Sequence, residues 1–407
     1  MHIRPILATL SRHKTAAALV VLEIALSCAI ICNAVFIISN RIADLQVGSG
    51  IANDELVYVA TSSLLPDINM DAQRRQDVAA LSAIPGVKAV SSVNQIPYGG
   101  NVWASDIRLE RDQPRPTAHA SLYMDDGQLQ STFGLQVIEG RGFNADEYLD
   151  NSAFDPNKVG QSVPAIMLSR ALARTLFPNQ SAVGKSIYVW GEQQPPSPVV
   201  GVIDDLLAPG ETNSLANRYH TMVFPIRTSN GAYALRTTPD QREAVLKAAS
   251  AALLRADPNR LIEQSDTLEQ MRIDFHHRDR SVILLLVAVC LALLAVTAFG
   301  IIGLASFWVQ QRTRQIGIRR ALGATRRHIL RYFQIENFLL TSIGIVLGLL
   351  LAYALNLLLM NRYELPRLPL LYLPASALLL WLLGQAAVFW PARRAAAIPP
   401  AVATRSA

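Results

Sequence analysis

The sequence predicts a membrane protein, an α-helical bundle of four spans with a large α+β domain inserted between the first span and the second. Charged residues make up only 17% of the chain against 51% hydrophobic, where an ordinary soluble domain carries about 25% charge. The apolar residues gather in four runs, 16–39, 281–309, 338–360 and 368–390, each long enough to cross a hydrocarbon core about 30 Å thick with roughly 20 residues. From 44 to 280 no such run occurs. Short strand-like and helix-like segments alternate there, as in a folded aqueous domain.

Residues 1–15, MHIRPILATLSRHKT, place Ile3, Ile6, Leu7 and Leu10 at helical spacing among bases, the pattern of a cytoplasmic amphipathic helix lying on membrane lipid. The run behind them is too long for a signal-peptide core and lacks a small-residue cleavage site, so it reads as an uncleaved anchor. Glu23 inside this span is costly in lipid and is expected to pack against a neighbouring helix. In the outer domain, 55–60 and 86–93 read as strands flanking a helix over 72–83, and 222–225 and 233–236 as strands before a helix over 241–255. These groups form paired βαβ-like halves, and a strand-rich piece over 119–208 lies between them.

The net charge of +6 does not point to nucleic acid, because the excess flanks the spans and orients them. Arg4, Arg12 and Lys14 precede the first span, and Arg393, Arg394 and Arg405 follow the last. Between spans two and three stand Arg312, Arg314, Arg319, Arg320, Arg326, Arg327 and Arg331, with no acid until Glu336. Both termini and the 310–336 segment are therefore expected on the cytoplasmic side, and the short 361–367 loop outside.

Chemical motifs are sparse. Cys28 and Cys32 share a helix face inside the first span with no His or acid beside them, and Cys290 lies in the second; small apolar packing residues are the expectation. His276 and His277, with Asp274 and Asp279, stand in the charged stretch before span two; adjacent histidines diverge on a helix, so a solvated membrane entry is expected rather than a metal site. Gly184-Lys185-Ser186 matches the end of a phosphate-cradling loop, but the required first glycine is Asn179 and 185–189 reads as a strand, which argues against nucleotide binding. No nucleophile-elbow or metalloprotease pattern occurs, so neither a catalytic site, a metal nor a bound cofactor is expected in this chain. The polar residues of the spans, Glu23, Asn33, Thr297, Asn356 and Gln385, are too scattered to line a hydrophilic channel.

The segment 310–336 carries the sharpest pattern. Arg312, Ile316, Gly317, Ile318, Arg319, Arg320, Ala321, Leu322, Gly323, Ala324 and Thr325 fit the form R-x-x-E-I-G-I-R-[KR]-A-L-G-A-[TS], and in this the chain resembles the MacB/FtsX family of ABC-transporter permeases. Gln315 stands where that family commonly has Glu. A second patch, Phe133, Gly134, Val137, Gly140, Arg141 and Phe143, followed by Leu176, Phe177, Val183, Gly184, Lys185, Ile187 and Val199 to Val202, is similar to the family's outer domain. The closing Pro391, Ala392, Arg393, Arg394, Ala395, Ala396 and Pro399 resemble its tail.

The resemblance implies a MacB-like permease without its own ATPase domain, set in a bacterial inner membrane with its large domain in the periplasm. It implies porter-like parts over 44–118 and 209–280 and a sabre-like insert over 119–208. Residues 312 and 315 to 325 would contact a separate ABC ATPase, which holds ATP and Mg²⁺. The implied partners also include a second permease copy or paralogue, a periplasmic adaptor and an outer-membrane channel. Efflux of drugs, peptides or other amphiphiles follows from the resemblance, with FtsX-like control of a periplasmic hydrolase or Lol-like lipoprotein extraction as alternatives.

Overall fold

In the computed structural model the residues described are 14–64, 69–155, 158, 160–190, 194–210, 217–363, 369 and 372–397. The expected amphipathic segment through residue 13, the outer loop from 364 and the tail from 398 lie outside them. The chain divides into two compact units, 1–46 with 278–407, and 47–277.

Among the described residues, the first unit contains four helices long and apolar enough to cross a membrane: α1 (Lys14–Leu45), α7 (His277–Gln311), α9 (Arg326–Tyr363) and α10 (Tyr372–Ala397). Small residues let them approach. Gly344 and Gly348, one turn apart on α9, face Ile24 and Cys28 of α1, where a Cβ on either glycine would collide. Gly300 of α7 likewise leaves room for the Glu23 carboxyl. Cys28 and Cys32 are fully buried in this packing, as the sequence predicts. Polar span residues pair between helices: Thr297 Oγ1 donates to Ser27 Oγ at 2.8 Å, Asn33 Nδ2 to the Ala352 carbonyl at 3.3 Å, and Gln385 Nε2 to the Gln334 carbonyl at 3.3 Å. The last helix runs through Pro391 to Ala397, beyond the expected end of the span at 390. Buried Ala392, Ala395 and Ala396 pack on Ile316, Ile329 and Phe333 and hold the turn that the proline would otherwise weaken.

The second unit is built in layers. A four-stranded antiparallel sheet is ordered β13 (Arg260–Thr267), β1 (Leu56–Ser63), β12 (Ala232–Arg236), β2 (Ala89–Ser92). Helix α2 (Met70–Ser82) joins β1 to β2, and α5 (Arg242–Ala256) joins β12 to β13. Each crossover skips one strand, which gives two interlocked split βαβ units. Strand alternation separates the faces: Val57, Val59, Tyr233 and Leu235 meet Leu81, Val245, Ala249 and Leu253 of the helices, while Leu56, Tyr58, Ala232 and Ala234 turn the other way. Within the helix layer Asp77 accepts from Tyr233 Oη at 2.7 Å and from Arg260 Nη1 at 2.8 Å, both Asp77 and Arg260 being buried. This pins α2 to β12 and β13.

A seven-stranded sheet is ordered β5 (Val137–Gly140), β9 (Ser197–Ile203), β7 (Ile166–Ser169), β10 (Thr221–Phe224), β4 (Ala118–Met124), β3 (Ala104–Arg108), β8 (Ser186–Val189), and β8 pairs again with β9. That second pairing closes six strands into a barrel and covers the edge of β8, with β5 left outside the ring on β9. Leu122, Met124, Ile166, Leu168, Met222 and Phe224 fill its interior. Their neighbours Tyr123, Met167 and Val223 point outward into a second core shared with the four-stranded sheet. Buried on both faces, these strands read as continuous apolar runs. At the end of β5, Gly140 adopts φ +76°, and a Cβ there would strike the Val200 carbonyl oxygen.

Two expectations shift here. The strand expected over 222–225 within the porter-like half belongs to the barrel, as does β3 from before residue 119; both find their partners in strands of the insert. His276 is buried rather than solvated: it lies edge-on to Tyr98 at 5.9 Å, because helix α6 (Leu268–Phe275) turns it inward. Asp279 pairs with Arg41, and no cluster able to hold a metal occurs among the described residues.

Candidate functional site

The arginine-rich segment folds as a helical elbow. Arg312 separates α7 from the short α8 (Thr313–Ala321), and the chain then turns into α9. The motif Leu322-Gly323-Ala324-Thr325 has a direct structural reading. Gly323 takes φ +96°, and Ala324 N donates back to the Arg319 carbonyl at 2.9 Å, a left-handed stop that glycine adopts without strain. Thr325 Oγ1 then accepts from His328 N at 3.3 Å and caps the next helix.

Helical geometry sorts the motif into two faces. Arg312, Ile316 and Gly317 are buried. Ile316 packs with Ile329 and Phe333 of α9 and with Ala392, Ala395 and Ala396 of α10. Gln315, Ile318, Arg319, Ala321, Leu322, Gly323 and Thr325 are exposed, with Arg320 and Ala324 intermediate. Leu322, at 82% exposure, and Ile318, at 46%, put apolar side chains on a surface otherwise rich in guanidinium groups. Arg319 lies over the Tyr332 ring at 5.3 Å. The position where the family pattern has Glu, occupied by Gln315, is on this outward face.

Arg312 behaves differently from the other arginines. Its Nη1 donates to both carboxylate oxygens of Glu336, at 3.1 and 2.9 Å, and its guanidinium stands 5.4 Å from the Trp308 ring centre. Glu336 is 1% exposed. The sequence groups Arg312 with the contact residues; the fold assigns it to the inside of the elbow.

Residues 18–263 match the model of the MacB-like periplasmic core domain, and residues 283–400 match that of the FtsX-like permease C-terminal region. The chain belongs to the MacB/FtsX family of ABC-transporter permeases. It is 27% identical over 241 residues to the macrolide export ATP-binding/permease protein MacB of Aggregatibacter actinomycetemcomitans, covering 57% of this chain and 35% of that protein. It is 24% identical to the uncharacterized ABC transporter permease YknZ of Bacillus subtilis, covering 66% of this chain and 64% of that one. Over 98% of its length it is 23% identical to the pyoverdine export ATP-binding/permease protein PvdT of Pseudomonas aeruginosa, of which it covers 57%. The chain thus spans little more than a third of the length of the MacB proteins it matches, 35–39%. Among solved structures, the periplasmic region of MacB from Actinobacillus actinomycetemcomitans aligns at 14% identity over 56% of this chain and 96% of that one, with a TM-score of 0.34. The extracellular domain of YknZ aligns at 19% identity over 51% and 100%, with a TM-score of 0.33. The family is that of a membrane protein carrying a periplasmic core domain, which matches the four apolar helices and the α+β unit between the first two.

Proposed function

We propose that the chain is the permease part of an ABC-type exporter in a bacterial inner membrane. A separate ABC ATPase docks on the exposed face of α8 and the 322–325 turn, holds ATP and Mg²⁺, and drives movement that reaches the periplasmic core domain. The observation that carries this reading is the pairing of Leu322 and Ile318, exposed and apolar, with a dense arginine surface between two membrane helices. An apolar centre rimmed by guanidinium groups suits protein docking better than bare solvation. The two termini lie on the same, cytoplasmic side, following the arginine distribution. The chain works as a dimer with a second permease, and an adaptor and outer-membrane channel continue the route outward. The names of the MacB and PvdT relatives support export, and an amphiphilic drug, peptide or similar compound is the cargo class.

ATP can bias the periplasmic domain only if the ATPase binds two arrangements of the elbow with different affinity. Leu322→Glu and Ile318→Glu test this directly, because both side chains are exposed and the substitutions leave the internal packing untouched. Co-purification of an ABC ATPase co-expressed with this chain should fall at least tenfold in either variant. Undiminished capture, with unchanged ATP-dependent transport, would refute the docking assignment.

A further inference from the structure

Besides the stacking of Arg319 over the Tyr332 ring on the outward face, three buried attachments among those described tie α8 to the rest of the membrane unit. One is the chain itself at Arg312. The second is the apolar contact of Ile316 with Ile329, Phe333 and the alanines of α10. The third is the ion pair from Arg312 to Glu336. They differ in kind. Apolar contact is non-directional and tolerates sliding, whereas charge-assisted hydrogen bonds are short and directional, here two of them from Nη1 alone to the two oxygens of Glu336. Of the buried three, the ion pair is the directional link between the elbow and α9.

The surroundings of the pair connect it to all four spanning helices. It adjoins a cavity whose lining comes from all four spanning helices, including Val20 of α1, Ala305 and Trp308 of α7, Asn337 of α9 and Val388 of α10. Glu336 lines the same cavity, and Trp308 Nε1, Asn337 Nδ2 and Arg312 Nη2 are buried without a hydrogen-bond partner among the described residues. Helix α9 is in turn closely packed on its neighbours: Gly344 and Gly348 abut Ile24 and Cys28 of α1, and Asn337 and Thr341 face Gly384 of α10. A displacement passed to α9 therefore reaches α1 and α10.

We infer that Arg312 and Glu336 are a positioning pair, a joint that converts movement of α8 into movement of α9, distinct from the surface on which the ATPase sits. The inference rests on the docking reading above and assigns Arg312 a different task within it. The test uses the full chain in complex with its ABC ATPase, in nanodiscs, and reads the ATP-induced change in hydrogen exchange of residues 47–277. Glu336→Gln keeps the shape and removes the charge, Arg312→Lys keeps the charge, and Arg312→Glu with Glu336→Arg reverses the pair.

Glu336→Gln should capture the ATPase as the wild type does yet lose at least fourfold of the ATP-induced change. Arg312→Lys should retain more than half of it. A charge-reversed pair that restores the change beyond the level of Glu336→Gln would support the joint. An unaltered ATP response in Glu336→Gln overturns the inference, and so does loss of ATPase capture in that variant, which would make Glu336 part of docking or of the fold. If the wild type itself captures no ABC ATPase, the docking reading falls and the joint with it; a wild type that captures while Glu336→Gln still transmits sinks the joint alone.

Discussion

Replacing Asp77 by alanine strands a buried guanidinium. The Arg260 side chain is 2% exposed and its Nη1 lies 2.8 Å from Asp77; the nearest other acid recorded for it is Asp257, with 3.8 Å between Nε and Oδ2. Removing one member of a buried pair costs about 3–5 kcal/mol, because the surviving charge keeps its desolvation penalty and loses its compensation. A domain of 150–250 residues loses about 2–4 °C of melting temperature per kcal/mol, so Asp77→Ala should lower the transition of the periplasmic core domain by roughly 6–20 °C. Differential scanning fluorimetry of the detergent-solubilised chain can follow this transition through Trp190, which packs against Phe154 and Phe224. Removing the charges together, as Asp77→Leu with Arg260→Met and Tyr233→Phe, should recover most of the loss, since apolar replacements of a buried pair are often neutral or stabilising. A drop below about 3 °C in Asp77→Ala, or a triple variant no more stable than the single one, would refute the assignment of this network as a buried and mutually compensated one.

Other outcomes follow from particular residues. Gly140→Ala forces a side chain into left-handed backbone, which costs roughly 1–3 kcal/mol, and adds a collision with the Val200 carbonyl; chemical denaturation of the core domain should show at least that loss, while Gly160→Ala, with open space around its Cβ position, should show only the backbone part. Burial holds the His220 imidazole below its ordinary 6.5. The neutral form is favoured in the fold, so the stability it contributes is present above about pH 6.5 and is lost as the unfolded chain takes up a proton below it. Melting temperatures at pH 7.5 and 5.5 should therefore differ more in the wild type than in His220→Phe.

The membrane helices were legible because lipid imposes a length and excludes charge, so the four apolar runs match the helices to within their ends. The ends moved where packing overrides composition, as at Pro391, or where charged residues continue a helix, as from Arg326 to Glu336. In the outer domain the strands of the four-stranded sheet were readable from alternation, with one exception. Strand β13, RLIEQSDT, carries too many polar residues to stand out, and only its pairing with β1 reveals it. The barrel was less legible because its strands pair across long sequence distances, and nothing local in 221–224 announces partners near 121 and 168.

At the elbow, the residue types were readable but their facing was not. Ile316 and Ile318 look alike in a sequence. Two positions apart on a helix they point to opposite sides, so one is core and the other surface. The burial of Arg312 likewise depends on Glu336, 24 residues further on, and no pattern around Arg312 itself distinguishes it from its neighbours.

The closed barrel limits how this protein can be recombined. Its staves come from three separate stretches of chain, 104–124, 166–203 and 221–224, and their outward faces complete a core with the neighbouring sheet. A graft that exchanges only 119–208 for a relative's segment would carry away four of the barrel's six staves, and with them every barrel partner of β3 and β10. Chimaeras between family members should therefore be cut near residues 93 and 230, in the connections to the four-stranded sheet, so that the whole barrel travels as one heritable block.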